Sequence, residues 1–382
     1  MKNTIYINEF ASISPYGHIA EDIQSGYFKN STKFSLKKFG NESNLCAELS
    51  TNSEAEIEKI KTENKIFQNL DKSVLMAIFS ARKAVKNLNL NSNSTGINIG
   101  SSRGATTLFE KYHKAFLEGK TFSPLASPTT TLGNISSWVA QDLGIDGPNI
   151  SHSITCSTAL HAMLNAKAWL QSNMSDVFLV GGTEAPLTAF TIAQMQALKL
   201  YSKSTRSSPC ESLNLNKTEN SLVLGEASAT AVLSKSPEKA LAKIAGFGYA
   251  TEQITHNISI STDAKCFQKS MKMALNEADL ENVDAIVLHA PGTVKGDLAE
   301  VKAIEKNFPK MPLLTTNKWQ IGHTFGASGM MNIEMALIML RTGKFLENPF
   351  YKQKSNSKTI ESVLVNAVGF GGNAVSILLT KN

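Results

Sequence analysis

From Leu70 to Leu90 apolar residues return at helical spacing, at Val74, Ile78, Ala81, Val85 and Leu88, and this predicts an amphipathic helix. The polar stretch before it, Asn30–Asn64, is rich in Asn, Ser and Lys and reads as loop with some helix. Gly96-Ile-Asn-Ile-Gly-Ser-Ser reads as a buried strand ending in a turn of small residues. Strand-like runs at Asp176–Val180 and Asp284–Leu288 alternate with helical segments, which predicts α/β layers rather than separate all-α and all-β parts. Two segments echo one another, Val223–Leu233 and Val368–Leu379, each a glycine-containing turn feeding an apolar strand. Their likeness points to an internal duplication. Ser234–Leu241, with its Lys, Ser and Pro residues, reads as the joint, which gives halves of 1–235 and 236–382.

The run Pro148–Thr155 reads as a strand that passes at once into a buried helix over Cys156–Leu170, built from strong helix formers. Cys156 then stands at a helix N-terminus, where free N–H groups and the helix dipole favour a thiolate and can hold an oxyanion. A buried structural cysteine is the bland alternative, and context alone does not decide between them. His289 ends an apolar strand before a Pro-Gly turn, where α/β enzymes place catalytic groups, and a helix is expected to follow from Leu298. His323 lies among small residues between Lys318 and Gly329, ahead of a helix over Met330–Leu340. Each histidine alone is more often a satisfied core residue, and Lys318 alone a solvated charge.

Composition narrows the setting without naming a function. The chain of 382 residues is 42% hydrophobic and 18% charged, ordinary values for a globular protein. Its mean hydropathy is -0.12. Four dispersed cysteines without a CxxC pair fit reduced thiols in a cytoplasmic protein and suggest no metal site. No apolar leader follows Met1, and no window reaches the length of a membrane span. The net charge of +6 is spread along the chain, which argues against a nucleic-acid arm and allows an acidic protein partner.

Taken together, several segments resemble the β-ketoacyl-(acyl-carrier-protein) synthase family of the thiolase superfamily, over nearly the whole chain. They are Thr155-Cys-Ser-Thr-Ala159, His289-Ala-Pro-Gly-Thr-Val-Lys-Gly-Asp297, Lys318 through Gly329 and Gly369-Phe-Gly-Gly-Asn373, with Gly181–Ala185 and Gly225-Glu226 also fitting. The resemblance implies an α/β thiolase-like fold of two duplicated halves in five αβαβα layers. It implies that Cys156 takes an acyl group from a phosphopantetheine thioester on an acyl carrier protein, with no separate cofactor. His289 and His323 would stabilise the enolate formed when a malonyl thioester loses CO2, and the backbone N–H groups of Cys156 and Phe370 would hold the oxyanion. Lys318 and Glu300 match a buried charged pair supporting His323, Phe370 a gate, and Thr293, Gly371 and Gly372 substrate-binding positions. A homodimer, or a heterodimer with a related ketosynthase-like subunit, is implied as well.

Departures from the family pattern are Pro291, Asn373 and the segment Ser207–Asn220, which only weakly represents the usual Arg/Asp-rich stretch. Within a family that serves fatty acid, polyketide or polyene biosynthesis, they suggest a divergent branch making polyketide or polyene pigments rather than housekeeping fatty acids. A thiolase proper would carry a second catalytic cysteine after Cys266, and chalcone-synthase-like enzymes an Asn in place of His323. The rival of another class is a chain-length-factor-like partner subunit of little activity, which Cys156 argues against.

Overall fold

The computed structural model describes residues 4–40, 42–132, 134–204, 208–253, 260–353 and 359–382. Ten strands pair in one sheet, and their order repeats a single plan twice. The first set, in chain order, is Ile5–Ile13, Thr95–Gly100, Asn149–Ile150, Val177–Glu184 and Ala227–Ser234. The second is Ala242–Thr251, Ala285–Val287, Leu313–Thr315, Ser362–Gly369 and Asn373–Thr380. In both, the spatial order runs third, second, fourth, fifth, first. The second strand is parallel to its two neighbours, while the fifth is antiparallel to the fourth and the first. The two echo segments supply the fifth strand of each set. Ile5–Ile7 pairs with Ala242–Ile244 and joins the sets edge to edge.

Alternation along these strands explains the layers, because successive side chains point to opposite faces. Leu179 joins the core under helices Lys72–Val85 and Asn134–Leu143, while Phe178 and Val180 join the central core. In the second set Leu364 packs under helices Lys265–Ala278 and Val294–Asn307, and Val363 and Val365 face the centre. Helices Thr158–Gln171 and Ser328–Thr342 occupy that centre and touch strands of both sets. Nearly every residue of Ser328–Thr342 is buried, and Thr158–Gln171 buries its Ala, Leu and Met face against it, so the two form a middle layer. Their spacing depends on glycine: a Cβ on Gly329 would come within 2.7 Å of Leu160 Cγ. The result is the five-layered αβαβα arrangement.

Several sequence expectations are corrected. The polar stretch before Leu70 forms paired strands, Ser35–Phe39 and Glu42–Ala47, and the helix Thr51–Glu63, rather than a loop with some helix. The few buried residues of the two strands (Phe39, Cys46, Ala47) lie at their ends, enough for a short ribbon against Leu224–Gly225. Only Asn149–Ile150 of the expected strand Pro148–Thr155 pairs with a neighbour, since the backbone then turns to bring Cys156 inward. The helix after His289 begins at Val294, not Leu298, because the Thr293 hydroxyl accepts the Gly296 N–H and caps it there. Ser207 lies outside the described residues.

Candidate active site

Cys156 sits two residues ahead of helix Thr158–Gln171, whose N-cap is Ser157. Thr155, just before it, has φ +47°, a left-handed conformation that costs a branched residue energy. The strain is held in place by the C-terminal half. A Cβ on Gly369 would lie 1.8 Å from Thr155 Oγ1 and 2.8 Å from Ile154 O, so only glycine lets this turn approach. Phe370 follows on that same turn with 39% of its surface exposed, and Gly371 and Gly372 continue it at φ +94° and +71°. Asn373 Oδ1 accepts from the Thr251 hydroxyl at 2.8 Å, so this departure from the family pattern is tied to the neighbouring strand.

His323 Nε2 lies 3.2 Å from Cys156 Sγ, within hydrogen-bonding reach for sulfur. The peptide of His323 is stitched to the first half: its N–H donates to Val223 O at 2.7 Å, and its carbonyl accepts from Gly225 N. Gly225 and Gly322 make that stitch possible, since a Cβ on Gly225 would meet Ile321 O at 2.0 Å. Glu184 clamps the next turn, accepting the N–H groups of Gly326, Ser102 and Arg103 and the Ser101 hydroxyl. The His289 ring stands edge-on to that of His323, with centroids 5.3 Å apart. Glu300 orients the His289 turn through the N–H groups of His289 (2.9 Å) and Ala290 (2.8 Å) and is itself bonded by Asn366. Asp297 gathers Gly292 and Thr293 N–H and pairs with buried Lys217 at 2.6 Å. One site thus receives its nucleophile from the first half and both imidazoles from the second.

The electrostatics depart from expectation in two respects. Burial pushes the Cys156 thiol up to about 12, with Glu184 adding to the rise, and outweighs the lowering by Lys318, Arg103 and the cysteine's own N–H. The resting sulfur is therefore a thiol rather than the thiolate expected at a helix N-terminus. Burial, then Lys318, hold His323 well below the ordinary histidine value, and His289 is lowered by the same two causes and by His323. Both rings are neutral, and neutral imidazole offers one N–H donor and one acceptor. Nδ1 of each is buried without a hydrogen-bond partner among the described residues.

The second departure concerns the expected Lys318–Glu300 pair. Among the described residues no ion pair joins them. Lys318 Nζ instead reaches Asn332 Oδ1 at 3.5 Å, and Glu300 is occupied by backbone and amide donors. Burial lowers Lys318 and raises Glu300, and each opposes the other's shift through space. Arg103, Phe325 and Glu184 also belong to the site, and sequence reasoning gave none of them a role. The usable signal was Ser101-Ser-Arg-Gly104 just past the C-terminal end of a parallel strand.

Similarity to known proteins agrees with this geometry. The family model described as Beta-ketoacyl synthase, N-terminal domain, matches residues 24–239, and that of the C-terminal domain matches 241–350. A protein of Coxiella burnetii (strain RSA 493 / Nine Mile phase I) named 3-oxoacyl-(acyl-carrier-protein) synthase 2 is 28% identical, over 100% of this chain and 99% of its own. Among solved structures, a type II PKS acyl-carrier protein in complex with its ketosynthase bound to the hexaketide (AntDE:AntF) superposes with a TM-score of 0.87 at 17% identity, covering all of both chains. A ketosynthase (ApeO) in complex with its chain length factor (ApeC) from Xenorhabdus doucetiae gives 0.82 at 19%, over 99% of this chain and 98% of that one. Among the described residues no helix is long and apolar enough to cross a membrane.

Proposed function

The chain belongs to the β-ketoacyl synthase family, and from that premise we propose that it is an acyltransferase performing decarboxylative Claisen condensation. An acyl thioester and a malonyl thioester, each on the phosphopantetheine of an acyl carrier protein, are its substrates. The observation that carries this reading is the contact of Cys156 Sγ with His323 Nε2 at 3.2 Å, beside the edge-on ring of His289. Cys156 attacks the acyl carbonyl, the Sγ–C bond forms, and the carrier thiol leaves with the proton. The N–H groups of Cys156 and Phe370 face the developing oxyanion. The malonyl carbonyl then binds between His289 and His323, whose neutral rings donate to the enolate oxygen as CO2 departs. The nascent carbanion attacks the acyl-cysteine carbonyl, and the carbon–carbon bond forms. The Cys156 S–C bond then breaks, the leaving sulfur regains a proton, and the β-ketoacyl product stays on the carrier that brought the malonyl group. Neutral histidines suit this step, because a donor that keeps its proton stabilises the enolate without quenching its carbon.

Thr293, Gly371 and Gly372 line the phosphopantetheine approach in this reading, and Lys318 and Glu300 hold the histidine turns from behind. The protein works as a homodimer or beside a related ketosynthase-like subunit, with its halves divided at 235/236. Incubation with acyl-carrier thioester, followed by intact-protein mass spectrometry, tests the proposal. An acyl adduct on Cys156 that disappears on adding malonyl-carrier, with a β-ketoacyl product, is expected. No adduct on Cys156 would favour a partner subunit without condensing activity.

A further inference from the structure

Arg103 lies close enough to the nucleophile for its charge to act on the Cys156 thiol, and among the described residues its guanidinium forms no ion pair. Its guanidinium sits 5.6 Å from the centre of the Phe325 ring, which is itself 5.3 Å from the His323 ring. Its Nη2 donates to Gln194 Oε1, on the helix Ala189–Ala197 whose Ile192 and Met195 pack in one cluster with Cys156 and Phe325. The backbone leaves it little freedom, since Arg103 N is bonded to Glu184 at 3.1 Å and Ser153 Oγ to Ser102 O at 3.2 Å. Among the described residues no carboxylate forms an ion pair with Arg103, whereas buried Lys217 and half-buried Lys72, Arg82 and Lys167 all have one. A half-buried guanidinium in an apolar cluster gives up much of its hydration, and a carboxylate is its best replacement partner.

We propose that Arg103 forms an anion subsite for the acyl group on Cys156, so that the acyl chain carries a carboxylate a few carbons from its thioester carbon. The inference rests on the ketosynthase reading and deepens it by naming the substrate class, short dicarboxylic half-thioesters. A phosphopantetheine phosphate is too far from its own thioester to reach Arg103 while the thioester is at Cys156. A malonyl carboxylate is the other possible source of the charge. Pairing it with a guanidinium would stabilise the very group that must leave as CO2, raising the barrier to decarboxylation, so the acyl chain is the better occupant. The transfer is ordinary thioester exchange: the carrier C–S bond breaks, the Cys156 S–C bond forms, and the carrier thiol takes the proton.

The first arm of the test needs no ketosynthase activity. Iodoacetate and iodoacetamide alkylate the same sulfur, but only iodoacetate carries a carboxylate, so their rate ratio at Cys156 cancels any change in thiol ionisation. Arg103→Leu should lower that ratio about tenfold, the size of a lost charge-assisted contact, and Arg103→Lys should keep most of it. The second arm compares succinyl and butyryl thioesters as acyl donors by intact mass, with the same change of preference expected. The third measures CO2 release from malonyl-carrier, which Arg103→Leu is expected to lower by less than it lowers the succinyl-over-butyryl preference. An unchanged iodoacetate ratio in folded Arg103→Leu overturns the subsite. So does a tenfold loss of CO2 release with acyl preference unchanged, which would hand the carboxylate to malonate. If no thioester acylates Cys156 while the alkylation ratio still responds, the condensing reading fails and the anion subsite stands.

Discussion

At Cys156 the helix N-terminus and the buried setting act in opposite directions, and burial wins, leaving a thiol pushed up to about 12 beside a neutral imidazole. Cys156→Ala should remove acyl transfer by several orders of magnitude, because among the described residues no other cysteine is bonded to His323 Nε2. Retention of more than a few per cent of activity would contradict the assignment. The neutral histidines carry a stability signature. His323 protonates near 6.5 once unfolded but resists protonation in the fold, so below pH 6.5 the unfolded chain binds the extra proton and stability falls. Relative to His323→Asn, the wild type should therefore lose up to ~1.4 kcal/mol per pH unit between about pH 6.5 and 5. Urea-unfolding midpoints read this difference, and parallel slopes would contradict it. The cysteine, both histidines and Lys318 were legible because short motifs fix residue type and order. Arg103 and the separation of Lys318 from Glu300 were not, because which donor reaches which carboxylate depends on side chains from distant segments.

The element that sets the nucleophile is a turn rather than the expected strand. Pro148–Thr155 reads as a strand running into the following helix, but pairing needs a neighbour in register, and only Asn149–Ile150 finds one, on Thr95–Gly100. Beyond it the chain must bend so that Cys156 meets His323, and the left-handed Thr155 is where it bends. The polar stretch before Leu70 was misread for the converse reason: its strands are short and mostly exposed, so hydrophobic content does not announce them. Gly369 provides the test at this scale. Gly369→Ala drives a methyl into Thr155 Oγ1, and is expected to cost about 1–3 kcal/mol and to slow acylation of Cys156. Adding Thr155→Gly removes that oxygen and suits the positive φ, so the double variant should recover part of both losses. Equal acylation by Gly369→Ala and wild type would show that the turn tolerates displacement. The duplicated strands and the middle helices were the most legible elements, because apolar runs long enough to be buried on both faces leave few alternatives.

At the scale of the whole molecule, duplication supplies two similar five-strand sets joined edge to edge in one sheet, and the site draws Cys156 from one set and His289 and His323 from the other. A net charge of +6 fits docking of an acidic carrier protein. The Michaelis constant for carrier-bound substrate should then rise with salt, since exposed charges are screened within about 8 Å at physiological ionic strength. A salt-independent constant would favour free coenzyme A thioesters as substrates. In the proposed mechanism one site performs two separable steps, acyl capture by the cysteine and decarboxylation by the histidines. Release of labelled CO2 from malonyl-carrier by Cys156→Gln tests it most directly, because the glutamine amide stands in for the acylated sulfur and no acyl transfer is needed. The variant should release CO2, and adding His289→Ala or His323→Ala should abolish that release. Undiminished release in both double variants would contradict the mechanism.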